Sequence, residues 1–151
     1  MMRQIDWKKQ LKKVVSALNR IIKAGSVVVD TSAIISLFRG QKNAVECFNL
    51  AQEIWLPVTV LGELYCGLRK CDNPEKERMR ISEFHAQSLI VNNDEGTAIR
   101  YAEVYVNLEE NGVMIPINDI WIAAFAIRHE LPLLAKDAHF SRISGLNLIS
   151  L

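Results

Sequence analysis

Four acidic residues stand where chemistry on a phosphate is possible: Asp30 after the β-branched run SVVV, Glu63 in VTVLGELYCGL, Asp119 in PINDIWIAA and Asp137 after LPLLAK. Asp30 and Asp137 each close an apolar strand at its C-terminal end, which in an open parallel sheet is the edge where ligands bind. Glu63 and Asp119 each stand near the start of a helix that follows a short strand, which carries them to that same edge. Four carboxylates gathered there would repel one another unless cations lay between them. Oxygen-only ligands suit Mg²⁺ or Mn²⁺. An ion so held can activate a water and stabilise charge developing on a phosphodiester, and two ions ~3.5–4 Å apart would clamp the attacking and leaving oxygens. Each acid taken alone also has a structural role. Asp30 can cap a helix, Asp119 can sit at the positive end of the helix dipole behind an Asn118 N-cap, Glu63 can be a solvated helix residue and Asp137 can form a turn. Spacing by itself leaves both readings open.

Other phosphate and hydrolytic chemistries lack their residues. There is no GxxxxGK[ST], no GxGxxG after a strand, no HExxH and no GxSxG. A phosphatase of the haloacid dehalogenase type needs a second Asp two places after the first, where Ser32 stands, and the paired acids and phospho-acceptor of a receiver domain are missing. Cys47, Cys66 and Cys71 form no CxxC pair, which argues against both a disulfide framework and a cysteine zinc site.

The elements that must position the acids follow from hydropathy. In WKKQLKKVVSALNRIIKAG the apolar residues recur at three- and four-residue steps between lysines, predicting an amphipathic helix that stops near Gly25. SVVVD is a buried strand and TSAIISLFRG the helix after it. A second helix from Lys42 leads into the strand IWLP, and Thr59 is the expected N-cap of VLGELYCGLRK. A charged segment around Asn73–Arg80 gives way to the helical ISEFHAQ and the strand SLIVN. A long helix capped by Asn93 or Asp94 and closed by Gly112 comes next. VMIPI is expected as a short strand, with a helix from Asn118 to about Glu130, the strand LPLLAKD and an edge-like LNLIS. This alternation predicts a three-layer α/β/α sandwich with a mainly parallel central sheet, with the N-terminal helix as an addition.

Composition sets the frame for these elements. With 151 residues, half of them hydrophobic, the chain suits one compact domain. No run approaches the ~18–20 apolar residues of a membrane span, and the charged N-terminal stretch lacks a signal-peptide h-region, so a cytoplasmic protein is expected. The formal charge of +1 hides an asymmetry. Residues 1–26 carry Arg3, Lys8, Lys9, Lys12, Lys13, Arg20 and Lys23 against Asp6 alone, a net +6, and the remainder carries −5. The aromatics Trp55, Tyr65 and Trp121 lie on apolar faces and are expected in the core rather than as stacking platforms.

VVVDTSAIISLFRG, VTVLGELYCGL, INDIWIAAFAI and LLAKDAHFSRISGLNLI, in this order and at these separations, resemble PIN domains, most closely the VapC-type toxins of toxin–antitoxin pairs. The resemblance covers about residues 27–151, leaving 1–26 as a basic extension. It implies a divalent-metal-dependent endoribonuclease whose acidic pocket is Asp30, Glu63, Asp119 and Asp137, with one or two Mg²⁺ or Mn²⁺ ions. Ser32 and Asn118 match polar positions that support the acids. Ala135 stands where relatives often carry Ser or Thr, and a second reading follows from it: a PIN-fold RNA-binding or interaction module with an impaired metal site. The resemblance further implies an RNA substrate, an antitoxin protein and a homodimer. Arg39, Lys42, Arg69, Lys70 and Lys136 are candidates for contacts with RNA phosphates, with plain solvation as the alternative. The N-terminal helix can pack on its own domain, supply positive charge for RNA, or fill a groove that relatives offer to an antitoxin segment.

Overall fold

The computed structural model describes residues 6–151. Met1–Ile5, and with them the charge of Arg3, lie outside the described residues. Five strands form one wholly parallel sheet in the order β3-β2-β1-β4-β5: β1 Ser26–Val29, β2 Glu53–Pro57, β3 Leu89–Val91, β4 Leu133–Ala135 and β5 Leu148–Ser150. Val27, Val28 and Val29 of the central strand are all fully buried, as a strand covered on both faces must be. Val28 is in register with Trp55 on one side and Leu133 on the other. From β1 the chain winds outward to β2 and β3, then returns to place β4 on the other side of β1. The direction of winding therefore reverses between β1 and β4, and a crevice opens beyond the carboxyl ends of those two strands.

Among the described residues seven helices flank the sheet: α1 Trp7–Ala24, α2 Thr31–Phe38, α3 Lys42–Leu50, α4 Val58–Leu68, α5 Pro74–Ala86, α6 Glu95–Glu110 and α7 Ile117–Arg128. Phe84 of α5 meets Phe38 of α2 and Phe48 of α3 edge-on, at 6.1 and 5.8 Å between ring centres. Trp55 of β2 packs on Phe125 of α7, and Trp121 of α7 stacks on Tyr101 of α6 at 4.0 Å. Tyr65, expected inside, is exposed on α4. Asp94 accepts from the Thr97 N–H at 2.7 Å and the Thr97 hydroxyl bonds back toward the Asp94 N–H, a capping box that starts α6.

Helix α1 is as amphipathic as its sequence requires, but only its last turns are anchored. Ile21 is its one buried residue, and Arg20 Nη1 donates to Asn147 Oδ1 at 2.8 Å and to the Leu148 carbonyl at 2.9 Å. Gly25 ends the helix at φ +74°, and its N–H bonds the Ile21 carbonyl. Trp7, Leu11 and Val15 remain exposed.

Three local expectations are corrected. VMIPI forms no strand: residues 113–116 are a loop in which only Ile115 is buried, and Pro116, which has no N–H to give a ladder, becomes the N-cap of α7. Thr59 is not a cap, because α4 starts at Val58 directly from Pro57, whose φ of −60° already suits a helix start. Asn118 is likewise inside α7 rather than before it, so its side chain is free for another partner.

Candidate metal centre

Asp30 sits at the end of β1 as the N-cap of α2. Its backbone N–H bonds the Leu134 carbonyl of β4 at 3.0 Å, and its side chain accepts from the Ser32 N–H at 2.9 Å and from the Ser32 hydroxyl. Of the two roles foreseen for Asp30, capping is the one its hydrogen bonds display. Only 4% of Asp30 is exposed. Burial pushes its pKa above the ordinary carboxylate value, the Ser32 bonds oppose that rise, and the charge of Glu63 adds to it.

Ser32 also joins the two central strands. Its Oγ accepts the Lys136 backbone N–H at 2.9 Å, tying the segment after β4 to the start of α2. Ala135, fully buried at the end of β4, carries no hydroxyl.

Glu63 projects from the middle of α4 and is held from two other helices. The Thr31 hydroxyl of α2 donates to its Oε2, and the Asn118 amide of α7 donates to its Oε1 at 3.0 Å. Asp119, the next residue of α7, has a side chain only 13% exposed. Its pKa is pushed up to about 6, first by burial, against a hydrogen bond from His139, with the negative charges of Asp30 and Asp137 adding to the rise.

Asp137 caps a short 3₁₀ turn, Ala138–Arg142, by accepting the His139 N–H at 2.9 Å. That turn swings His139 back over the acids. Its Nδ1 lies 3.1 Å from Asp119 Oδ2 and 3.1 Å from Asp137 Oδ1. Asp119, Asp137 and His139 each offer a ligand atom within 4.8 Å of the others. No sequence motif singles out His139, because its contact with Asp119 joins residues 20 apart across the crevice.

The structure therefore brings all four acids to the reversal between β1 and β4. Hydrogen bonds link Glu63 to α2 and α7 and Asp119 to the Asp137 turn, while Asp30 is within range to raise Asp119 electrostatically. Two of the acids have raised pKa values, and no Lys or Arg side chain bonds to any of the four among the described residues. Such a donor set, mostly carboxylate oxygen and short of countercharge, fits a hard divalent cation. Of the basic candidates, Lys136 is at the rim, its Nζ donating to Gln41 Oε1 at 3.3 Å. Arg39 and Arg69 stand at the far ends of α2 and α4, with Lys42 and Lys70 exposed just beyond them.

The PIN domain family matches residues 27–146. Ribonuclease VapC1 of Rickettsia felis is 31% identical over 129 residues, which span 82% of this chain and 95% of that protein. Ribonuclease VapC5 of Mycobacterium tuberculosis is 28% identical over 122 residues, 78% of this chain and 87% of that protein. Among solved structures, VapBC2 from Rickettsia felis bound to a promoter DNA fragment has a TM-score of 0.77 at 23% identity, covering 83% of this chain and 98% of that one. VapBC-5 from Mycobacterium tuberculosis has a TM-score of 0.70 at 23% identity, covering 84% and 99%.

Proposed function

This chain belongs to the PIN domain family, and on that premise we propose that it is a VapC-like endoribonuclease that hydrolyses RNA phosphodiesters with Mg²⁺ or Mn²⁺. The observation that carries the reading is the meeting of four acids from four segments at one reversal of the sheet, two of them with raised pKa values. Relatives named ribonucleases support the chemistry.

Asp30, Glu63, Asp119 and Asp137 would hold one or two ions. When bound, the ion supplies countercharge to the acids, activates water and offsets the charge developing on the phosphodiester. The protein's own part is orientation. Ser32 aims the Asp30 carboxylate, and Thr31 and Asn118 hold Glu63 by both oxygens. These bonds settle where the acids point before RNA arrives, which lowers the reorganisation needed at the moment of reaction. Lys136 at the rim, and Arg39, Lys42, Arg69 and Lys70 farther out beyond α2 and α4, are proposed to meet RNA phosphates as local positive charge on a main body of net −5.

An antitoxin partner is proposed because similar folds occur in VapBC toxin–antitoxin systems, and a homodimer because the family resemblance implies one. Residues 1–26 are proposed as an extension to a nuclease domain of 27–151, and the cytoplasm as the place of action. No helix among the described residues is long and apolar enough to cross a membrane.

The test is cleavage of single-stranded and structured RNAs by purified protein in Mn²⁺ or Mg²⁺, with EDTA and Asp119→Asn as controls. Cleavage that disappears in both controls is expected. Binding of RNA without cleavage under every metal condition would instead mark an RNA-binding or interaction module.

A further inference from the structure

The proposed chemistry assigns nothing to His139, although it touches two of the acids. Its Nδ1 is 3.1 Å from an oxygen of Asp119 on α7 and 3.1 Å from an oxygen of Asp137 on the 3₁₀ turn. A lone pair pointed at two carboxylate oxygens would add a third negative centre, so Nδ1 carries the hydrogen and donates to Asp119 Oδ2, while Asp137 Oδ1 accepts the His139 backbone N–H. The backbone leaves the ring little choice of place. The His139 N–H is bonded to Asp137 Oδ1, and the next residue, Phe140, is 1% exposed and anchors the turn in the core. The Asp137 side chain, by contrast, is 40% exposed and belongs to no helix or strand of its own. Repulsion from Asp30 and Asp119 would turn it toward water if nothing held it.

We propose that His139 is a positioning residue that clamps Asp137 to Asp119, with its backbone N–H on Asp137 and its Nδ1–H on Asp119, holding both carboxylates in the arrangement that receives the divalent ion. The inference rests on the reading of the four acids as a cation site. Its consequence is specific to one atom: a donor is needed where Nδ1 stands, and the rest of the imidazole is not.

Asparagine places its Nδ2 hydrogens near the position of Nδ1, whereas glutamine reaches toward the position of Nε2 and alanine offers no donor. Mn²⁺ binding to the full chain, measured by calorimetry, separates these cases, with metal-free thermal unfolding as the check that each variant folds. His139→Ala and His139→Gln are expected to raise the Mn²⁺ dissociation constant about 10- to 100-fold, the loss usual for residues that orient metal ligands, and His139→Asn to stay within a few-fold of the parent. Equal losses in the Asn and Ala variants, or parental or tighter binding in His139→Ala, overturn the clamp. If the parent binds Mn²⁺ and Asp30→Asn weakens it while His139→Ala does not, only the clamp falls. If the parent binds no Mn²⁺, the cation-site reading falls and takes the clamp with it.

Discussion

The Asn118 amide nitrogen lies 3.0 Å from Glu63 Oε1, a bond that joins the first turn of α7 to the middle of α4 across 55 residues of sequence. With Thr31 on the other oxygen, it holds Glu63 in one orientation. Asn118 itself is exposed, so Asn118→Ala should leave the melting temperature nearly unchanged. RNA cleavage should nevertheless fall by about 10- to 100-fold, because Glu63 is free to turn away. Parallel thermal melts and initial-rate assays of the same preparation check both halves of this expectation.

Ser32→Ala should behave differently, since Ser32 Oγ both donates to Asp30 and accepts the Lys136 N–H. Removing it leaves a nearly buried carboxylate short of a donor and a backbone N–H short of an acceptor. The cost should be about 1–3 kcal/mol, read as a lower midpoint in urea at unchanged m-value. Cleavage should fall as well.

The outline of the site was legible because strand ends and helix starts are written in hydropathy: SVVV followed by Asp30 and LPLLAK followed by Asp137 each mark where a buried strand meets water. VMIPI misled because apolar density does not distinguish a strand from a loop that drops one residue, Ile115, into the core before a proline-capped helix. The Asn118 and His139 contacts were beyond reach for another reason. Both are made across the crevice to acids on other elements, and local spacing carries no information about which side chains face each other there.

Protonation of Asp119 gives a pH dependence with a definite sign. Its pKa is raised to about 6 from an unfolded value near 3.8, so the fold disfavours its charged form. The metal-free protein therefore loses stability as pH rises from about 4 to 6, by at most about 3 kcal/mol from this group. The raised pKa of Asp30 acts in the same direction. Metal-free melts from pH 4.5 to 7.5 should show this slope, and Asp119→Asn should flatten it. Added Mn²⁺ should stabilise the parent more at pH 7.5 than at pH 5.5, because protons compete with the ion for the same oxygens.

Helix α1 should divide into an anchored and a dispensable part. Ile21 is fully buried whereas Leu11 is 54% exposed. Ile21→Ala should cost about 2–5 kcal/mol and Leu11→Ser less than about 0.5 kcal/mol in chemical denaturation. Similar losses in both would mean that the exposed stripe is covered in solution.

Anomalous diffraction from crystals grown with Mn²⁺ bears most directly on the claim that the four acids meet around an ion. The account predicts an anomalous peak within coordination reach of Asp30, Glu63, Asp119 or Asp137, lost in Asp119→Asn crystals. Crystals saturated with Mn²⁺ that show no peak among these carboxylates would contradict it.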